Sequence, residues 1–259
     1  MFSISYHHQT IAILDELERL RSEAAKLNKM GMELFFLHKY QAAIFHYHEA
    51  LNVLMKISEE SQSYKRRMFS LHSRPFVNAK AIHRICGSLS QPIPIDPRLA
   101  VTDPDWERIY AITIMHNAAL VHFKISSFSN AEKLLRLAIT LVEGNESEDY
   151  SSLNKDPRTC VVVMSICHTL GCVLSCLDGR LLHEAMEFFK AAADVGKTQL
   201  GHHILVACVF ATMGQILIRE GYIQEAMGAF GRASKIYDAP QACGIESLSD
   251  VCCNGAAAA

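Results

Sequence analysis

His168, Cys172 and Cys176 stand at four-residue spacing, which on a helix places an imidazole and two thiols on one face. With a fourth ligand from a neighbouring element they could hold zinc or a soft metal. No Cys-x-x-Cys pair or second cluster accompanies them, and cysteine in an apolar run packs as a small hydrophobe, so no metal and no cofactor is expected. Gly196-Lys197-Thr198 matches the end of a phosphate-binding loop, but Ala191 occupies the place of that loop's first glycine. A helix rather than a strand is expected before it, so the segment reads as an ordinary helix terminus. His46-Tyr47-His48 offers imidazoles two residues apart, which point to different sides of a helix. Gly-x-Ser-x-Gly, a glycine-rich dinucleotide turn and His-Glu-x-x-His are all missing from the sequence, and a non-enzymatic chain is expected.

A charge feature carries more information. Between Ser61 and Ile95 no acidic residue occurs, whereas Lys65, Arg66, Arg67, Arg74, Lys80 and Arg84 give a local charge of +6. This basic stretch is suited to docking an acidic or phosphorylated partner segment, to covering an acidic surface of its own fold, or simply to solvation. Arg66-Arg67-Met68-Phe69-Ser70 has the form of a basophilic kinase site. Across the 259 residues, 25 Lys and Arg face 27 Asp and Glu, a net charge of −2 that argues against a nucleic-acid binder.

The elements that must position these groups are helical. Nine cysteines, an odd number without regular spacing, point to a reducing compartment, most simply the cytoplasm. Residues 159–177 and 202–218 carry no formal charge. The first is long enough for a membrane span, but His168, the cysteines and Ser175 within it favour a helix buried in a helical stack, and no membrane span is expected. All seven prolines (75, 92, 94, 97, 104, 157 and 240) fall outside helices expected near 10–37, 41–57, 107–125, 129–142, 159–177, 182–198, 203–219 and 223–237.

Small residues recur in one frame. Gly31, Ala43 and Ala50 are spaced by twelve and seven, as are Ala119, Ala131 and Ala138, and Gly214, Ala226 and Ala233. Gly171, Ala185 and Ala192 follow with fourteen and seven, two residues being added near Asp178-Gly179. Two antiparallel helices approach closely only where both present small side chains, so each triplet marks one helix hairpin and its contact with the next. Large residues surround these positions: Tyr40 and Tyr47, Phe128 and Leu135, Phe189, Tyr222 and Phe230. The chain divides into an N-terminal helix with a first pair at 1–57, a basic, proline-rich insertion at 58–106, three further pairs at 107–238 and a tail or cap at 239–259.

Residues 29–51 and 212–233 resemble tetratricopeptide repeats, and the last two units are similar to the longer form found in kinesin light chains. The resemblance implies an all-α, right-handed α-solenoid of about four helix-turn-helix pairs, with a long loop inserted after the first. It further implies a concave face lined by Asn28, Met32, Phe35, His116, Asn117, Leu120, Phe123, His168, Cys172, Gln215, Ile218 and Arg219. Asn117 matches the asparagine type that such repeats turn toward a peptide backbone, whereas Thr169 and Thr212 depart from it in the next units. Met32, Ser165 and Thr169 replace the charged or amide residues of the carboxylate clamp. The expected function is therefore a protein-interaction scaffold or adaptor that takes an apolar or amphipathic partner segment with an acidic flank. A permanently buried structural subunit and a metal- or thiol-dependent sensor are the alternatives.

Overall fold

The computed structural model describes residues 2–65, 89–95, 106–143, 157–177, 181–201 and 203–238. Eight helices make up most of these residues: α1 (Phe2–Phe36), α2 (Tyr40–Lys65), α3 (Trp106–Lys124), α4 (Phe128–Glu143), α5 (Pro157–Leu177), α6 (Leu182–Leu200), α7 (Ile204–Arg219) and α8 (Ile223–Tyr237). No strand occurs among the described residues. Each odd-numbered helix packs on the even-numbered one after it, and each pair meets the next through α2–α3, α4–α5 and α6–α7. Contacts of α1 with α3 and of α3 with α5 bring the first helices together. The result is an all-α, repeat-like architecture. Arg66, Arg67, Arg74, Lys80 and Arg84, the polar stretch 144–155, the Asp178-Gly179 turn and the tail 239–259 lie outside the described residues.

Two helices exceed their expected bounds by two turns, and α5 opens on Pro157, which was expected outside it; as first residue of a helix, proline lacks only an N–H that would have no helical partner. α1 opens at Phe2 and α2 runs on to Lys65, because neither 2–9 nor 58–65 contains the glycine or proline that would stop a helix. Lys65, expected in the basic insertion, is thus the last residue of α2. α3 begins at Trp106, whose buried ring lies 4.3 Å beneath the Arg21 guanidinium of α1. α5 is the one described helix long and apolar enough to cross a membrane, and 78% of its apolar window is buried inside the protein.

Close helix approach explains the small-residue frame. A Cβ placed on Gly31 would come within 2.6 Å of the Tyr47 ring, one on Gly171 within 2.8 Å of Phe189, and one on Gly214 within 2.7 Å of Phe230. Each aromatic ring fills the space its glycine leaves. In the same register the second pair carries Ala119 and Leu135, both fully buried, so the added methyl on one helix is matched by a smaller side chain on the other. The remaining frame positions, Ala43, Ala131, Ala185 and Ala226 and then Ala50, Ala138, Ala192 and Ala233, are buried throughout.

The three described hairpin turns, α1–α2, α3–α4 and α7–α8, share one device. His38, Ser126 and Gly221 each lie seven residues beyond the small residue of the first helix and adopt positive φ, at 57°, 58° and 86°. Each turn closes with the same bonds: His38 N–H to Phe35 O and Lys39 N–H to Leu34 O, Ser126 to Phe123 and Ser127 to His122, Gly221 to Ile218 and Tyr222 to Leu217. This left-handed C-terminal cap suits glycine, so the first two turns carry conformational strain that the third avoids.

Candidate functional site

Three and two positions before each small frame residue, the first helices carry a polar side chain at every place but Ala211. Those positions hold Asn28 and Lys29 on α1, His116 and Asn117 on α3, His168 and Thr169 on α5, and Ala211 and Thr212 on α7. In every case the first position of one helix bonds the second position of the next. Asn117 Nδ2 donates to Asn28 Oδ1 at 2.9 Å, His116 Nε2 meets Thr169 Oγ1 at 3.2 Å, and His168 Nε2 meets Thr212 Oγ1 at 3.1 Å. A buried polar ladder therefore runs across α1, α3, α5 and α7, and each rung fixes the register of adjacent pairs. Asn28, His116, Asn117, His168 and Thr169 are all buried.

The histidines of the ladder are neutral. Burial pushes His116 and His168 down to about 4, opposed at His116 by hydrogen bonds to Asn117 and the Ser165 backbone. Thr212 spends its only proton on the Cys208 carbonyl at 3.0 Å, so its oxygen can only accept, and His168 must donate from Nε2. Its Nδ1 faces the interior without a hydrogen-bond partner, which a protonated ring could not tolerate.

At its first rung the ladder grips a stretch of chain. Residues 89–95, from the insertion, lie against α1 and α3 outside any helix. Asn117 Oδ1 accepts from Ile93 N at 2.7 Å, while its Nδ2 donates to Ile93 O at 2.8 Å. Asn28 Nδ2 adds a second donor to the same carbonyl at 3.3 Å. One carboxamide can satisfy both groups of a residue only where they point to the same side, as in extended backbone. The sequence dictates that conformation, because a residue before proline is driven away from the helical region, and Pro92 and Pro94 follow Gln91 and Ile93. Leu89 and Ile93 are buried, and Ile95 packs on the cluster formed by α1, α2 and α3. A cleft of about 500 Å³ lies between Pro94, Ile95 and the face of α1 that carries Ser22, Asn28 and Phe36.

The structure distributes the expected concave-face residues unevenly. Asn28, Phe35, His116, Asn117, Leu120 and His168 are buried, Met32, Phe123 and Cys172 half-buried, and Gln215, Ile218 and Arg219 exposed. Phe35 and Phe123 pack on aromatic neighbours, Tyr40 at 5.9 Å and Phe128 at 5.7 Å between ring centres. Arg219 donates to the Ser175 carbonyl at 2.6 Å and to Glu220 at 2.9 Å, tying the end of α7 to α5. His168, Cys172 and Cys176 do not form a common site. His168 is engaged with Thr212, burial pushes the Cys172 thiol up to about 12, and Cys176 is exposed. Among the described residues no three of His, Cys, Asp or Glu stand where one metal ion could join them.

Gly196 belongs to the interior of α6, where a Cβ would collide with Met164 and Val206, and Lys197 lies 4.9 Å over the Phe210 ring. These are packing roles. The sequence did not show that this segment is gripped, although the apolar Ile93 between Pro92 and Pro94 was a signal. No family model, curated protein or solved structure matches the chain.

Proposed function

We propose that the chain is a non-catalytic protein-interaction module, a right-handed solenoid of four tetratricopeptide-like pairs that receives a partner segment on its first-helix face. The observation that carries this reading is the clamp of Asn28 and Asn117 on the Ile93 backbone. A carboxamide that satisfies one N–H and one C=O recognises extended backbone whatever side chain it bears, which is how a face built of helices can hold a segment that is not one. The mostly apolar face, with Met32, Phe123 and Ile218 at least partly accessible, supplies burial, and the basic insertion supplies steering toward an acidic flank. α5 fits this reading as a core helix of the stack.

Proximity labelling with the full chain, beside a Met32→Glu, Ile218→Glu variant, tests the proposal. These side chains are half-buried and exposed, so the variant should fold, and the labelled set should lose specific proteins. Identical sets from both would refute the first-helix face as the docking surface. A second reading, a subunit fixed in a larger assembly, is favoured by Ile218, Tyr222, Ile223 and Met227, each about half exposed or more at the last pair. It requires the purified chain to self-associate or aggregate, where an adaptor stays monomeric.

A further inference from the structure

We infer that residues 89–95 are the resident occupant of the docking site, bound in cis where a partner segment binds in trans, and that the partner carries matching chemistry: an extended stretch with one apolar residue between two prolines, a second apolar residue four positions earlier, and an acidic residue beyond. The inference rests on the interaction-module reading and adds both the partner's chemistry and its need to displace a competitor.

The segment has the properties of a ligand rather than of a structural element. Its hydrogen bonds to the clamp use only the Ile93 backbone, so another chain in the same conformation would make the same three bonds. The two prolines fix φ at their own positions and hold the preceding residues extended, which lowers the conformational entropy lost on docking. They also remove donors. Across Pro92, Ile93 and Pro94 the sole N–H belongs to Ile93, and it goes to Asn117, so the gripped stretch leaves none unsatisfied. Leu89 and Ile93, at 1% and 3% exposure, are the apolar anchors and Pro92 is buried beside Ile93, while Ser90 and Pro94 are exposed.

The segment belongs to neither neighbouring helix. Residues 66–88 lie between it and Lys65 of α2, and residues 96–105 between it and Trp106 of α3, so its release leaves α2 and α3 intact. Ten residues span up to about 33 Å when extended. The cleft beside Pro94 and Ile95 offers a first foothold to an incoming chain. Ala25, Met32 and Phe36 line it with apolar surface, and Lys26 and Lys29 against Glu33 leave it net positive. An acidic side chain just past the gripped residues, the place Asp96 has in the resident sequence, suits that charge. A covalently attached competitor acts at an effective concentration of about 1 mM, so a trans segment of equal intrinsic affinity binds weakly until the resident is removed.

The test uses the full chain and a fluorescent synthetic peptide of residues 88–97 (SLSQPIPIDP), followed by anisotropy. Ile93→Asp in the full chain places a charge at a buried anchor and should empty the site. The variant is expected to bind the peptide at least tenfold more tightly than the unaltered chain, and a peptide with aspartate at the position of Ile93 should bind neither. Equal affinity for both chains overturns the cis-occupancy inference while leaving the docking site intact. Binding to neither, with the helical circular dichroism of the variant retained, overturns the inference and the proposed function together. A measurement on the unaltered chain guards against misfolding of the variant. Peptide at several millimolar should speed hydrogen exchange of the Ile93 amide at least fivefold while the buried α3 amides stay protected. No change in Ile93 exchange across that titration overturns the inference.

Discussion

Replacing Asn117 by Ala should cost more than any other single truncation on the polar ladder, and the geometry sets the amount. Three short hydrogen bonds vanish, at 2.7 Å and 2.8 Å to Ile93 and at 2.9 Å to Asn28, together with the long 3.4 Å bond from His116 Nδ1, which adds little. At about 1 kcal/mol net for each bond, this gives about 3 kcal/mol. The Ile93 N–H is then left buried without an acceptor, which raises the total to about 4–5 kcal/mol. Asn28→Ala is the internal control. It breaks the shared 2.9 Å bond and the 3.3 Å bond to Ile93 O, but Ile93 keeps both of its bonds to Asn117, so the expected cost is about 1–2 kcal/mol. Because the two residues share a bond, the double variant should cost about 1 kcal/mol less than the sum of the singles. Urea unfolding measures all three energies, and hydrogen exchange at Ile93 reports whether the loss is local. An Asn28→Ala cost equal to or above that of Asn117→Ala would refute the clamp as described, as would strict additivity.

Further outcomes follow from other contacts. Gly171→Ala should destabilise by about 1–3 kcal/mol, since the new methyl must push into Phe189, and Phe189→Leu should recover part of that loss; thermal melts of the singles and the pair decide it. Ser126→Gly should stabilise by about 0.5–1 kcal/mol by relieving the positive φ of an exposed turn, and a lower urea midpoint would contradict it. Acid should weaken the fold through His116 and His168. Their folded values are held near 4 against an ordinary 6.5, so the unfolded chain binds more protons below 6.5, and stability falls as pH drops from about 6.5 toward 4. The ceiling at pH 5 is about 2 kcal/mol for each ring, so His168→Gln should lose up to half of the difference between urea midpoints at pH 7 and pH 5; an unchanged difference would refute the neutral assignment.

The repeat frame was legible because it depends on volume, which residue type reports directly. Gly31, Gly171 and Gly214 each face a ring, and Ala119 falls in register with Leu135, so a side chain's size on one helix tells the size on its partner. Helix ends were less legible where nothing punctuates the chain, as at 2–9 and 58–65. The concave-face residues were identifiable by position but not by exposure. Asn28, His116 and His168 occupy the face by register, yet each is spent on a bond to the next first helix, and only the packing of successive pairs can show that.

The gripped segment marks where local reading stops. Pro92 and Pro94 were legible as residues that forbid a helix, and the same prolines make Ile93 extended and leave it one N–H to satisfy. What takes that N–H lies 24 residues away in Asn117, and the residue bracing Asn117 lies 89 residues from it in Asn28. The first separation leaves no periodic trace; the second follows the small-residue frame, which shows the register but not the bond. Asn117 was marked for backbone recognition only by its resemblance to the asparagine of kinesin-light-chain repeats; its donor and acceptor are both in use on Ile93. The backbone it holds is the chain's own. A site built to hold extended backbone and filled by a tethered segment is one whose affinity for a partner is set by the tether as much as by the clamp, which is why the strength of any trans interaction should be read against Ile93.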